Sequence, residues 1–359
     1  MSQTISQTLG ELPPVLKASV HDVRYFSALL RGVNFVNRAT VTVTERGLTI
    51  TVEEARTLLG TAFIFSDIFD EYAYHSESPS IEASQSSEDA DLVDNVAFEI
   101  PLNTLIECLN IFGTAGPAPP NASSNTNKFK KWKKPGDSDN EDDDRGVRGG
   151  SRIDSYFTGG SEKGTGMRMT YAGSGNPLTL LLAEDATGPT TSCEITTYDP
   201  EPHLELDFDN SKMVLKIILK SSWLRDALSE LDPSFDKLTF IGNPAPADTA
   251  PSKPKHSSRD VSKPMLRIQA AGTFGSTEMD YPNDRDVLET FECTRPVRFG
   301  YRLQHISRTL RALQSSTKTS LRIDEDGLLS LQFLMPSPKP KSGSDAFIEF
   351  RCLALDDDF

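Results

Sequence analysis

At 359 residues, with 37% hydrophobic and 8% aromatic side chains, the chain is long enough for two domains and rich enough to build their cores. A net charge of −15 excludes a protein that coats nucleic acid over its whole surface, but leaves room for a local basic strip. No apolar run approaches the roughly 20 residues of a membrane span, and Met1 to Pro14 carries neither the basic nor the apolar stretch of a secretory leader.

In chain order, Val15–Val20 predicts a strand, and Asp22 caps a helix running from Val23 to about Asn34. Val23, Phe26, Leu30 and Val33 form its inward face, with Arg24, Ser27 and Arg31 together on the other. Ala39–Thr44 and Leu48–Val52 flank the hairpin signature Glu45-Arg46-Gly47, and Thr61–Ser66 and Phe69–His75 extend the meander. Residues 76–94 are rich in Ser, Glu and Asp and read as a disordered insertion. Val96–Ile100 is the next strand, and Pro101 opens a helix striped by Leu102, Leu105, Ile106 and Leu109. After a long insertion at 113–166, the strands Met167–Ala172, Pro177–Glu184 and Thr191–Tyr198 complete a second unit.

Asp199–Asn210 is a connector in which Leu204, Leu206 and Phe208 alternate with Glu205, Asp207 and Asp209. Beyond it, Met213–Lys220 is a strand, and Ser221 or Ser222 caps a helix that turns Leu224, Ala227, Leu228 and Leu231 inward. Lys237–Gly242, Met265–Ala271, Thr277–Tyr281 and Val287–Cys293 are strands, the first followed by a Pro/Ser/Lys-rich insertion at 243–264. The last unit opens with Val297–Arg302. Its helix, Leu303–Leu313, has Leu303, Ile306, Leu310 and Leu313 inward and Gln304, Arg308, Arg311 and Ser315 outward. Thr317–Ile323 and Leu328–Leu334 join through Asp324-Glu325-Asp326-Gly327, and Ala346–Leu355 follows an insertion at 336–345. The pattern is an α+β chain of four strand–helix–three-strand units, two per domain, with domains at 1–198 and 211–359.

Chemistry-bearing motifs are few. Cys108, Cys193, Cys293 and Cys352 are far apart, form no CxxC and lie in apolar runs, which suits buried reduced thiols of cytosol or nucleus. The histidines show no HExxH spacing, Gly159–Gly164 lacks P-loop spacing, and there is no GxSxG, so neither metal nor cofactor is expected. The run Lys128-Phe129-Lys130-Lys131-Trp132-Lys133-Lys134 reads either as a nucleic-acid or nuclear-import element or as a solvated loop balanced by the acidic run 137–144.

Several segments resemble one family: Val52-Glu53-Glu54-Ala55, Leu109-Asn110-Ile111-Phe112-Gly113, Lys216–Lys220, Leu228–Asp232, Met279-Asp280-Tyr281-Pro282, Ser315–Lys318 and Leu329–Gln332. It is the Rad-one family of subunits of the nine-one-one (Rad-nine/Rad-one/Hus-one) DNA damage checkpoint clamp, relatives of the PCNA-like replication sliding clamp. The long insertions depart from the family pattern. The resemblance implies a PCNA-like fold with helices on one face of antiparallel sheets, in a heterotrimeric ring around DNA. It implies a nuclear, non-enzymatic platform for checkpoint and repair proteins, set on double-stranded DNA at primer–template junctions by a replication-factor-C-like loader. Arg24, Arg31, Arg225, Arg308 and Arg311, on the outward helix faces, are the expected DNA-facing cations. The expected subunit contacts are two sheet edges, carrying Thr191, Cys193, Ile195 and Thr197 in one domain and Thr277, Met279 and Tyr281 in the other. Leu204, Leu206 and Phe208 are the candidate partner groove, unless their apolar side simply packs down. The alternative, a metal-dependent 3′–5′ DNA exonuclease, needs convergent carboxylates.

Overall fold

The computed structural model describes residues 13–76, 95–115, 164–184, 187–244, 264–281, 284–338 and 345–356. The expected insertions lie largely outside these residues, and the basic and acidic runs between 128 and 144 lie wholly outside.

The first unit is β1 (Leu16–Val20), α1 (Val23–Val33), β2 (Arg38–Thr44), β3 (Gly47–Glu54), β4 (Leu58–Phe65) and β5 (Glu71–Tyr74). The second is β6 (Val96–Pro101), α2 (Leu102–Leu109), β7 (Gly166–Tyr171), β8 (Leu178–Ala183) and β9 (Thr190–Ile195). The third is β10 (Met213–Lys220), α3 (Ser221–Ser229), β11 (Lys237–Gly242), β12 (Leu266–Gly272), β13 (Gly275–Tyr281) and β14 (Leu288–Cys293). The fourth is β15 (Val297–Arg302), α4 (Leu303–Ser307), α5 (Leu310–Ser315), β16 (Lys318–Asp324), β17 (Leu329–Met335) and β18 (Ala346–Cys352).

Within each half the units exchange their first strands. β1 pairs with β7 of the second unit and β6 with β2 of the first; β10 pairs with β16 and β15 with β11. Each short helix thereby crosses from one sheet to another. β5 does not extend its own meander as expected but turns back onto β1, and β14 pairs likewise with β10. Alternation along a strand fixes which side chains are buried, not which neighbour the backbone finds.

The two halves meet where β4 pairs antiparallel with β18, Phe63 opposite Phe347 and Leu58 opposite Cys352. This makes one nine-stranded sheet, β14-β10-β16-β17-β18-β4-β3-β2-β6, beside a five-stranded sheet β5-β1-β7-β8-β9 and a four-stranded sheet β13-β12-β11-β15. β18 alternates across this junction as a period of two requires. Ile348 lies beneath Gly32 of α1, and Phe350 meets Phe35 at 5.9 Å. On the other face Phe347 stacks on Phe63 at 4.4 Å, and Arg351 Nη1 donates to the Leu206 carbonyl at 2.7 Å.

The helices stand side by side in the order α2, α1, α5, α3, so α1 touches α2 within its half and α5 across the junction. Flanking helices bury more of α1 than one apolar stripe foresees. Ser27, expected outward, is fully buried, and its hydroxyl reaches the Ala115 carbonyl at 3.5 Å. Asp22 caps α1 as expected, accepting from the Arg24 N–H at 3.0 Å. Neither serine caps α3. Lys220 occupies the cap position, and Ser221 is buried in a hydroxyl chain with Ser316 (2.7 Å) and Thr319 (2.8 Å). The single helix expected over Leu303–Leu313 is two. At Arg308 and Thr309 the N–H groups bond three residues back, to His305 and Ile306, and the Thr309 hydroxyl takes the Ile306 carbonyl at 2.7 Å.

Candidate nucleic-acid and subunit-contact surfaces

The five candidate arginines all lie on the helix row, but carboxylates accompany three of them. Arg24 is clamped by Asp22, Nη2 to Oδ2 at 2.6 Å, and Arg225 by Asp226 at 2.8 Å. Arg308 makes a bidentate pair with Glu54 at the end of β3, with Nε to Oε2 at 3.0 Å and Nη2 to Oε1 at 2.8 Å. This corrects the expectation that Arg308 simply points outward: its guanidinium bridges the two halves. Arg311 is exposed and donates at 3.0 Å to the carbonyl of Asn34, where α1 ends and its dipole is negative. Arg31 is half-buried in the last turn of α1. Asp22 and Asp226, beside Arg24 and Arg225 in the chain, were visible neighbours; no local signal points from Arg308 to Glu54.

The two candidate contact strands, β9 and β13, are both sheet edges. Their side chains are less uniform than expected. Ile195 and Tyr281 turn their side chains into the cores of their own halves, at 2% and 7% exposure, so any contact there is made by their backbone. Thr191, Cys193 and Met279 are half-buried, Thr277 is exposed, and Thr197 just beyond β9 donates to the Asn176 carbonyl at 2.8 Å. Cys193 neighbours Cys108 of α2, whose thiol is pushed up to about 11 by burial and by that neighbour. Most large apolar side chains exposed among the described residues flank these two edges. Leu181 lies on β8 opposite Ser192 of β9, Tyr198 follows β9, and Ile111 follows α2. Trp223 on α3 and Phe274 in the β12–β13 turn flank β13; Leu334 and Leu353 lie elsewhere.

The connector lies over the face of the nine-stranded sheet away from the helices. Glu99, at 2% exposure on β6, is ion-paired with Arg38 and accepts from the Glu201 N–H at 2.6 Å. Glu53 accepts from the Leu204 N–H at 2.8 Å. Beneath, Glu349 is buried and accepts from Ser330 (2.7 Å), Arg322 (3.2 Å) and Arg351 (3.0 Å). Arg322 also lies over the Phe208 ring at 5.0 Å. Leu206 is buried, Leu204 and Phe208 half-buried, so at Leu206 the apolar side packs down.

Among the described residues, Asp324 and Asp209 of the acidic clusters serve local structure. Asp324 is buried, which raises its carboxyl, and Oδ1 accepts from the N–H groups of Asp326 (3.1 Å) and Leu328 (2.8 Å) to shape the β16–β17 turn. Asp209 accepts from Ser211, and those bonds hold its carboxyl below the ordinary range. Among the described residues no three His, Cys, Asp or Glu side chains converge as a metal site, and no helix is long and apolar enough to cross a membrane.

Helices in one row, antiparallel sheets behind them and an unbroken sheet through the junction of two similar halves define the PCNA-like sliding-clamp fold. The crystal structure of proliferating cellular nuclear antigen from Entamoeba histolytica superposes with a TM-score of 0.60 over 96% of this chain and 100% of that one, at 11% identity. Within that class the chain belongs to the family described as repair protein Rad1/Rec1/Rad17, whose model matches residues 15–335. The mouse cell cycle checkpoint protein RAD1 is 31% identical over 337 residues, covering 94% of this chain and 91% of that protein. The DNA repair exonuclease REC1 of Mycosarcoma maydis is 29% identical over 444 residues, covering 95% and 96%. This is a checkpoint-family protein with a clamp fold.

Proposed function

We propose that the chain is a non-enzymatic subunit of a heterotrimeric nuclear ring that encircles DNA and presents its outer face to checkpoint and repair proteins. One observation carries this reading. The last strands of two three-stranded meanders, β4 and β18, pair with each other, while those of the other two, β9 and β13, end as open edges. Long open edges are liabilities in a solitary protein, and both are flanked here by exposed apolar side chains. Two neighbours pairing as β4 and β18 do would close each edge and continue the helix row around a hole. The further partners of this reading are a replication-factor-C-like loader and primer–template DNA.

Mixing the chain with the two other clamp-fold chains of its source should give a one-to-one-to-one complex. Amide exchange should slow at both 190–195 and 275–281 on assembly; a complex in which neither edge is protected would refute the ring. In the helix row, Arg311 is exposed and Arg31 half-buried in the last turn of α1, and phosphate attracts such cations without regard to base sequence. Replacing both by alanine in the assembled ring should reduce the log–log salt slope of duplex binding by up to about 2, equally on unrelated sequences.

The name of the Mycosarcoma maydis relative favours a second reading, a DNA exonuclease. It requires Mg²⁺- or Mn²⁺-dependent degradation of labelled DNA that co-elutes with the chain and vanishes on alanine replacement of a carboxylate pair. The turn and connector roles of Asp324 and Asp209 support the non-enzymatic reading.

A further inference from the structure

The internal junction is a template for what the open β13 edge lacks. In α1 and α3, Phe26, Leu29 and Leu30 correspond to Leu224, Ala227 and Leu228, all buried. In that register Tyr25 corresponds to Trp223. Tyr25 is 6% exposed because it reaches across the junction: its hydroxyl donates to the Met335 carbonyl at 2.7 Å and accepts from the Ala346 N–H at 3.3 Å, at the adjacent ends of β17 and β18. Trp223 is 45% exposed, and among the described residues no group across a junction meets its indole. It stands beside the end of β13, where the Tyr281 hydroxyl donates to its backbone carbonyl at 3.4 Å. The hairpin ends follow the same logic. The β3–β4 turn is held by the second half, through Glu54 with Arg308 and through the Thr57 carbonyl accepting from Leu353 N–H at 3.0 Å. The corresponding β12–β13 turn carries Phe274, 90% exposed.

Resting on the ring reading, we propose that Trp223 anchors the β13 contact, buried against the turn joining the last two strands in the first half of a neighbouring clamp-fold chain. The occupant follows from the template: α1 and β4 dock on β17, β18 and α5, whose counterparts in a clamp chain's first half are β8, β9 and α2. The indole N–H donates to the carbonyl that ends the neighbour's penultimate strand, as the Tyr25 hydroxyl does internally. It offers no acceptor, so the neighbour's next N–H finds another partner. A large, rigid aromatic at the centre of a contact is the kind of residue that dominates binding.

The chain has two tryptophans, so Trp132→Phe leaves Trp223 as a single probe. This variant, labelled with 5-fluorotryptophan and mixed with the two unlabelled clamp-fold chains of the same source, gives one fluorine resonance. Relaxation of that resonance by a soluble gadolinium chelate should fall several-fold on assembly. Trp223→Ala should weaken assembly at least about tenfold, while Trp223→Tyr, which restores the side chain of the internal junction, stays within a few-fold of the parent. A complex that forms with the resonance still open to the chelate overturns the anchor and leaves the ring standing. Failure to assemble with any clamp-fold chain overturns both.

Discussion

Arg308 lies on a helix face that a wheel projection turns to solvent, yet it meets a carboxylate 254 positions away in the chain. The pair joins the halves, is bidentate and is only partly exposed, at 35% and 21% for the two side chains. It falls between a surface pair, worth at most about 1 kcal/mol, and a buried one. Arg308→Ala should therefore lower stability by about 1 kcal/mol, read as a lower urea midpoint, and a cycle with Glu54→Ala should return most of that as coupling energy. His305, 6% exposed on α4 with Cys352 Sγ 3.9 Å from Nδ1, is held below its ordinary pKa first by burial and then by the nearby Arg302 and Arg308, against the pull of Glu54. The unfolded chain takes up this proton first. The contribution of the neutral ring is thus complete above the unfolded value of about 6.5 and is lost as pH falls toward the depressed folded value. Stability measured from about pH 7.5 to 5.5 should decline, and His305→Asn should flatten that part of the profile.

At the scale of elements, the β3–β4 turn carries a cost that its residues do not advertise. Ala55 and Arg56 both adopt φ of 53°, the left-handed region that costs an L-residue roughly 1 kcal/mol or more. Arg56→Gly should stabilise the isolated chain by about 1 kcal/mol in denaturant unfolding, whereas Arg56→Val should destabilise it. With no Gly, Asn or Asp at the turn, the strands read from sequence stop at Val52 and resume at Thr61, where in the fold they run to within three residues of each other. Where turn chemistry is explicit, as at Asp324 to Gly327, the hairpin was legible, and β10, β11 and β15 begin and end where their apolar runs do. Helix inward faces were legible for the same reason. The helix outward faces were less so, because burial of Ser27 and pairing of Arg308 depend on neighbours contributed by distant units. The open edges were read through family resemblance, which does not distinguish the side chains turned to a neighbour from those, such as Ile195 and Tyr281, turned into the core.

For the whole molecule, the junction also says what the chain cannot join. Gly32 sits where a Cβ would come within 3.6 Å of the Ala312 Cβ and clash with Ile348 Cδ1, so two helices meet there with almost no side chain between them. By the register that matches Tyr25 with Trp223, the counterpart of Gly32 on the open side of α3 is Glu230, which is exposed. Matching Leu102 and Leu105 with Leu303 and Ile306 places Ile111, 49% exposed, where Ala312 lies. One copy docking on another through these faces would press a carboxylate onto an isoleucine at the tightest point of the contact. Alone at micromolar concentration the chain should remain a monomer in analytical ultracentrifugation, while Glu230→Gly with Ile111→Ala should admit self-association. On the proposed ring, the molecule is a link with two unlike ends, and a closed loop takes it only beside other links, in one sense of rotation.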